Sequence, residues 1–516
     1  MRYDTLIVGA GAAGLFTLVE LLRRAERFGA PHRIAVVDGS GEFFRGIAYG
    51  ERSGTGTLCI HSLADFMPAA ELGRFERWAR GEDLFRTPED GPGRALHAAW
   101  VAANRDRLAA RDWRGVYFPR ATVGRFFEHL ARSTIEDVAA RLPVSVETVG
   151  AAAVALDRHA HGFRLATAVD GRPGPTLEAA RVVVAVGGTP RRRIEHRAAA
   201  GAPQRLARFE PYDEPFDDFV AGVAALAADR GAAHVVVAGA NASASEAVYA
   251  LRCLHASGLD LRATVISPGG RLPEFRAEPG TRAPFAADRL AGLAGSGLTA
   301  EAVHRAAVAD LREADRLGVG SERAVREVSR AVGAALDRLS RREQQRYVDV
   351  FAHRTGALQR RIGQEYLEAQ RALAAAGRLA LVAGAVRGTA ADGTVAFDPA
   401  DGGAARTVLA DAFVNCAGAE PLDGRVSSAF LRDLIGKGEM VPNRTGGGVR
   451  VDDRFACAPD LHVMGPLLAG NIIGGYRVWH AEHCGRIAML AARLAEGLAS
   501  GAASRSRAPR HASGGA

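Results

Sequence analysis

The first fourteen residues dictate much of what this chain can fold into. The apolar run Leu6 to Val8 reads as a buried parallel strand. Gly9, Gly11 and Gly14 follow in the spacing G-x-G-x-x-G, with the small Ala13 between, and Leu15 to Arg27 reads as a helix. Strand, glycine turn and helix in that order form a dinucleotide fingerprint. Gly9 permits the tight turn, Gly11 lets the backbone approach a pyrophosphate, and Gly14 lets helix and strand pack closely. The pyrophosphate would sit at the helix N-terminus, where free N–H groups and the macrodipole favour negative charge. A second strand, Arg33 to Val37, ends in Asp38, placed to grip a ribose 2′-hydroxyl. A carboxylate there disfavours a 2′-phosphate, so this site should hold FAD or NAD rather than NADP.

With 516 residues the chain exceeds one ordinary domain, and two or three are expected. No apolar run approaches the roughly 20 residues that cross a bilayer. The opening runs straight into a strand, which predicts no signal peptide, a cytoplasmic location and no membrane partner. The formal charge of +8 is carried by arginine, since Lys437 is the single lysine among 66 Lys and Arg residues. That skew, with abundant Ala and Gly, reads as the codon bias of a GC-rich genome. No basic patch interleaves with aromatics, so no nucleic-acid partner is expected. Cys59, Cys253, Cys416, Cys457 and Cys484 form no C-x-x-C pair and have no zinc spacing. They read as inert core thiols, and no metal site is expected.

The loop from Gly39 to Gly50 carries Arg45 and Gly46, which either approach a phosphate or flavin ring or lie in solvent. His61, Ser62 and Asp65 face a flavin or are structural. Residues 70–145 read as helical, with Trp78, Trp100 and Trp113 as packing anchors. Arg120 precedes a helix, where it reaches a cofactor or substrate anion or is a surface arginine. From Pro143 the pattern turns to strands, ending in Arg181 to Val186. The turn Gly187-Gly188-Thr189-Pro190 then closes the first lobe near its cofactor.

A second nucleotide fold begins at His234. Gly239, Asn241 and Ala244 occupy the three motif positions, Asn being the non-glycine that best tolerates positive φ. Ser243 and Ser245 add hydroxyls where phosphate oxygens would lie. The next strand, Leu261 to Ile266, ends in Ser267, not an acid, and Arg271 follows, a combination that fits NADP. The alternative is a degenerate fold that binds nothing. Residues 278–375 read as a helical insertion lining a substrate pocket, with caps at Thr299, Ser321 and Ser340 and a core stripe at Val325, Val328, Val332 and Leu336. Arg354, after a helix end, is a candidate clamp for a substrate carboxylate. A strand from Leu409, with Gly418 in its closing turn, is expected to return to the first lobe. Val449 to Asp452 and Asp460 to Gly465 follow as strands, then a glycine loop and a helix from about Tyr476 to Glu496. Gly465, Gly470, Asn471, Gly474 and Gly475 would bring backbone to the flavin's pyrimidine edge, and Asn471 joins Arg354 as a candidate catalytic position. The tail 500–516 should be disordered.

These motifs give an α/β fold of two Rossmann-like dinucleotide-binding domains, for FAD and NAD(P), with a helical insertion. The expected FAD domain is 1–200 with 405–499, and the NAD(P) domain is 201–277 with 376–404. Gly9 to Gly14, Gly46 to Gly50, Pro119 to Gly124 and Gly465 to Gly470 together make the chain resemble a bacterial FAD/NAD(P)-binding family among the two-dinucleotide-binding flavoproteins. Gly239 to Glu246 and Asp411 to Gly418 are similar to the G-x-G-Q-S-A-x-E turn and D-x-x-x-(L/F)-A-T-G motif of ornithine and lysine N-hydroxylases, departing at Asn241, Ala242, Asn415 and Cys416. The F-x-G-x-x-x-H-x-x-x-W-P signature of Baeyer–Villiger enzymes is absent. The resemblance implies an FAD-dependent, NADPH-using (or NADH-using) monooxygenase that passes oxygen from a flavin C4a-hydroperoxide to a small amine or amino acid. It leaves room for a homo-oligomer. The alternatives are an NAD(P)H-dependent flavin reductase or dehydrogenase without oxygen insertion, an FAD-only amine oxidase, and a non-enzymatic flavin scaffold.

Overall fold

The structure is a computed structural model and describes residues 2–28, 31–84, 91, 93–198, 204–273, 284–293, 297–359, 362–480 and 483–506. The chain divides into two units, 1–49 with 123–190 and 421–516, and 50–122 with 191–420. Residues 50–122, expected in the first lobe, therefore cluster with the second.

The first unit is built on a sheet in the order Ala456–Ala458, Leu461–Val463, Leu177–Val184, Arg2–Val8, His32–Asp38, Val144–Gly150. Its central pairs are parallel, with Ile7 opposite both Val36 and Val183. A parallel strand is covered on both faces, which is why Leu6, Ile7, Val8, Val182, Val183 and Val184 form unbroken apolar runs and are all 0–2% exposed. Behind the sheet the helix Ala12–Arg23 packs on the long helix Cys484–Ser506. That last helix covers 500–506 of the stretch expected to be disordered; 507–516 lie outside the described residues. Its start is later than the periodicity suggests. Gly474 and Gly475, at φ +52° and +79°, make a two-residue hairpin turn between Asn471–Ile473 and Tyr476–Val478, and this turn takes Tyr476 out of the helix. Val449 to Asp452 is not a strand but makes one isolated bridge, Val449 to Pro442.

The second unit holds a sheet in the order Arg406–Leu409, Thr394–Pro399, Leu379–Ala390, Leu261–Ser267, Ala233–Ala238, Ala412–Asn415, Ala207–Phe209. The strand Ala412–Asn415, expected in the first lobe, pairs here in parallel, Ala238 opposite Asn415. Its burial on both faces, with Phe413 and Val414 at 0% exposure, is worth about 1.5–3 kcal/mol per large side chain. The insertion is helical as its apolar spacing predicts: Ala300–Arg316, Ser321–Asp337, Arg341–Arg346, a π-helical turn Tyr347–Phe351, Ala352–Leu358 and Gln364–Ala375. Val328, Val332 and Leu336 are buried, while Ala324 replaces the half-buried Val325 at the head of the stripe. Thr299 and Ser340 cap their helices through their hydroxyls. Among the described residues no helix is long and apolar enough to cross a membrane, and no three His, Cys, Asp or Glu side chains gather as metal ligands.

Candidate functional site

The opening turn of the first unit is a cradle made of backbone. Gly9 has φ +103°, and a Cβ added there would lie 2.5 Å from the Ala185 carbonyl oxygen. Its amide donates to Val37 O at 2.8 Å, tying the turn to the second strand. A Cβ on Gly14 would lie 2.0 Å from Gly9 O, so helix and turn touch there. Gly11 differs, because the nearest atom to its added Cβ is Gly46 Cα at 3.6 Å. The short helical turn Gly46–Tyr49 closes directly on the start of Ala12–Arg23: a Cβ added at Gly46 would lie 2.6 Å from Gly11 Cα, so the two glycine backbones touch. The first N–H groups of that helix lack intrahelical acceptors. Asp38 stands at the rim: one oxygen accepts from Ala10 N at 2.7 Å, the other from Ser40 N at 2.8 Å and Ser40 Oγ at 2.6 Å. A carboxylate has about four acceptor positions, so one remains for a ribose hydroxyl. These residues fit the pyrophosphate and ribose of an FAD.

Other expected first-lobe residues are placed as follows. Arg45 donates through Nε to Glu128 at 2.9 Å and is ion-paired with it, so Gly46 reaches the cradle while the Arg45 charge is already matched. The apolar Ile47, which the sequence did not single out, is 51% exposed beside Gly46. A Cβ on Gly465 would lie 2.8 Å from Ala13 Cβ, and Gly188 faces Pro466, so Gly187, Gly188 and Gly465 lie on two adjoining loops. Gly474 N donates to Asp453 at 2.7 Å. Asn471 is buried, and its side chain donates to Val449 O and Leu468 O at 2.7 and 2.9 Å and accepts from Val451 N at 3.1 Å. Its amide holds a loop together with both N–H donors taken, so the structure gives Asn471 a structural part in place of the expected catalytic one.

In the second unit the turn repeats. Gly239 has φ +100°, and a Cβ there would lie 2.1 Å from Cys416 O. Asn241 stands at the N-cap position of the helix Ala242–Ala256, at φ −100° and with no side-chain capping bond. The second motif position therefore does not need positive φ, and the argument for Asn on that ground is corrected: what the position restricts is side-chain bulk. Ser245 is fully buried and its hydroxyl lies 3.5 Å from Gln370 Nε2, on the helix-packing side rather than at the phosphate position. Ser243 is half-buried in the first turn. The strand Leu261–Ser267 ends as expected without an acid. Ser267 is 4% exposed, its hydroxyl is buried with no hydrogen-bond partner among the described residues, and Arg271 is exposed just beyond the turn. An orphaned buried donor is rare in folded proteins. At the ribose end of a dinucleotide fold it fits an NADP 2′-phosphate. Gly418 lies in the turn after Ala412–Asn415, beside Gly239.

Arg120 belongs to this unit. Its guanidinium is ion-paired with the fully buried Glu246 and donates to Leu58 O at 3.2 Å and to Tyr212 Oη at 3.2 Å. Tyr212 in turn donates to Glu246 from a backbone at φ +76°. Burial pushes the Tyr212 phenol well above its ordinary pKa, so it stays a donor. Arg354 is exposed on Ala352–Leu358, one residue before the buried Thr355 that bonds His304 at 2.9 Å. Burial holds the Cys59, Cys416 and Cys457 thiols up at about 12, so none is a ready nucleophile.

Two glycine-turn cradles, each at the carboxyl ends of parallel strands, define a flavoprotein of two dinucleotide folds. The FAD-NAD(P)-binding family matches residues 6–189. Two mycobacterial proteins, uncharacterized protein Rv3403c of Mycobacterium tuberculosis and uncharacterized protein Mb3437c of Mycobacterium bovis, are each 31% identical over 96% of this chain and 95% of their own. The chain belongs to one family with these proteins. Among solved structures, the ornithine N-hydroxylase KtzI of Kutzneria sp. 744 is 16% identical, with a TM-score of 0.51 over 98% of this chain and 100% of its own. The reduced ornithine hydroxylase PvdA of Pseudomonas aeruginosa is 14% identical, with a TM-score of 0.53 over the same shares. Both share its fold.

Proposed function

We propose that the chain is an NADPH-using flavin monooxygenase that hydroxylates the nitrogen of a small amine or amino acid. The observation that carries this reading is the contrast between the two cradles. The first ends its second strand in Asp38; the second ends in the orphaned Ser267 with Arg271 beside it. One protein with an acid-bearing and an acid-free site is suited to hold FAD in the first and NADPH in the second. When bound, the pair supplies hydride transfer and oxygen activation, chemistry that belongs to the cofactors. The chain's part is to hold and shield them. The glycine turn and the open N–H groups at the start of Ala12–Arg23 take a diphosphate, Asp38 accepts from a ribose hydroxyl, and Ser267 and Arg271 donate to a 2′-phosphate. Arg354 is assigned to the substrate carboxylate, in keeping with the amino-acid substrate of the ornithine hydroxylases that share the fold. The buried thiols, their pKa values raised by burial, speak against dithiol redox chemistry.

The test is to purify the protein with its flavin and follow NADPH and O2 together while amines and amino acids are screened. An amine that raises both uptakes and emerges hydroxylated, one O2 per NADPH, is the expected result. A substrate oxidised without O2 uptake, or NADPH oxidation indifferent to every amine, overturns the reading.

A further inference from the structure

We propose that Arg191 is an anion-binding residue of the second dinucleotide fold, held by Asn415 so that its guanidinium meets the diphosphate of the bound nicotinamide dinucleotide. The proposal rests on the reading that this fold binds NADP(H).

The sheet order puts Leu261–Ser267 on one side of Ala233–Ala238 and Ala412–Asn415 on the other. The chain leaves Ala233–Ala238 through a helix toward Leu261 and reaches the opposite neighbour only much later. This is a topological switch point, where ligands of open α/β sheets bind, outside the carboxyl ends of the strands. The two turns flanking it, at Gly239 and at Cys416, are in contact. Arg191 lines the second of them. It forms an isolated antiparallel bridge with Ala419, and Arg192 N donates to Gly418 O at 2.9 Å.

The Arg191 guanidinium is incompletely used. One terminal nitrogen donates to Asn415 O at 2.7 Å, and its carbon lies 5.7 Å from the centre of the Tyr212 ring. Its Nε–H is buried with no hydrogen-bond partner, and no carboxylate ion-pairs with it among the described residues. The nearby Glu210 is engaged elsewhere, by Arg208 at 3.0 Å and Asn415 at 2.7 Å. The half-buried Arg191 guanidinium feels the Glu210 carboxylate only at a distance, without an ion pair, and keeps an unpaired donor at a nucleotide crevice; a guanidinium fork matches phosphate oxygens.

Asn415 explains the placement. It is fully buried, where the D-x-x-x-(L/F)-A-T-G pattern has an apolar residue. Its Nδ2 donates to Arg192 O at 2.8 Å and to Glu210, and its Oδ1 accepts from Ala417 N at 3.1 Å. An apolar side chain would leave the Arg191–Arg192 segment without this anchor. Asn415 is thus a positioning residue and Arg191 a binding one.

The test uses flavin-loaded full-length protein titrated calorimetrically with NADP+ and with NAD+. Arg191→Gln should weaken both by about tenfold or more, the scale of a lost charge-assisted hydrogen bond, without changing the ratio of the two Kd values. Asn415→Leu should weaken both in the same proportion with the arginine still present. A change in the ratio would assign Arg191 to the 2′-phosphate, and an unchanged Kd for both would leave it no ligand role; either overturns the proposal. If wild-type protein binds neither dinucleotide, the underlying NADPH reading fails instead. Flavin absorbance and melting temperature report folding. Should Arg191→Gln not fold, Arg191→Lys carries the same test, since it keeps the charge but not the fork, and an unchanged Kd for both dinucleotides overturns the proposal there as well.

Discussion

Gly9, Gly11 and Gly14 share one motif and meet three different surroundings. At Gly9 a methyl group would strike the Ala185 carbonyl from a backbone at φ +103°, and at Gly14 it would strike Gly9 O at 2.0 Å. Gly9→Ala and Gly14→Ala should each destabilise the first unit by about 2 kcal/mol or more, read as a lower melting temperature of the apoprotein. Gly11→Val keeps ordinary contact at its Cβ, 3.6 Å from Gly46 Cα, but sets its methyl groups over the turn assigned to the diphosphate. It should melt close to wild-type apoprotein and carry no flavin; a yellow Gly11→Val protein would sink the placement. On the second fold, Arg271→Ala should raise KM for NADPH more than for NADH, and equal rises would remove the 2′-phosphate argument. Residues of this kind were legible because the motif is local. Arg191 was not, because it gains its place through Asn415, 224 positions away. The Ser267 hydroxyl could be named as a missing acid, but its isolation appears only once the strand is buried.

At the level of elements, the apolar spacing of the insertion and two of its three caps were read directly, since a capping hydroxyl acts within three residues of itself; the third, Ser321, is instead the first residue of its helix, with Gly320 at the N-cap position. Thr299 accepts from Ala302 N and Ser340 from Glu343 N, and replacing either by Ala should cost about 1 kcal/mol of local stability. A larger effect belongs to Asp310, which no pattern flagged. It is fully buried within Ala300–Arg316 and reaches across to accept from Arg289 N and Leu290 N at 3.2 and 3.0 Å, at the start of the short helix Asp288–Ala291. Asp310→Ala leaves those amides unpaired. It should cost about 1–3 kcal/mol, more than either hydroxyl cap, with faster hydrogen exchange confined to 284–316. Exchange no faster than in Thr299→Ala would show that the two amides find other acceptors. The strand Ala412–Asn415 and the hairpin at Gly474 were misplaced for a common reason. Which sheet a short apolar run joins, and whether a double glycine bends a strand or opens a helix, are settled by partners distant in sequence.

Across the whole molecule, acid should act unequally on the two units. In the first, His32 is stacked on Phe28 at 4.5 Å, and His462 sits with Nδ1 3.1 Å from Arg454 O. Burial lowers both pKa values, and the positive charge of Arg181 lowers both further; Asp4 partly opposes this at His32, as the Arg454 carbonyl and Asp460 and Asp452 do at His462. A histidine depressed in the folded state takes protons only when the chain unfolds, so stability is full above the unfolded pKa near 6.5 and falls as pH drops below it. The second unit has depressed histidines too, at His196, His234 and His304, again through burial. It also carries Glu210, Asp217 and Glu365, whose pKa values burial raises. A raised carboxylate has the opposite sign: its contribution is complete below the unfolded value near 4 and is lost as pH climbs through the folded one, so it offsets the histidines on acidification. Hydrogen exchange at pH 7 and pH 5, corrected for intrinsic rates, should therefore show protection falling more in Arg2–Val8 and Leu177–Val184 than in Ala233–Ala238 and Ala412–Asn415. In His32→Asn/His462→Asn protein, whatever its stability at pH 7, that extra loss should shrink. Equal losses in both sheets of the wild type would mean that the buried histidines of the first unit do not set its acid response.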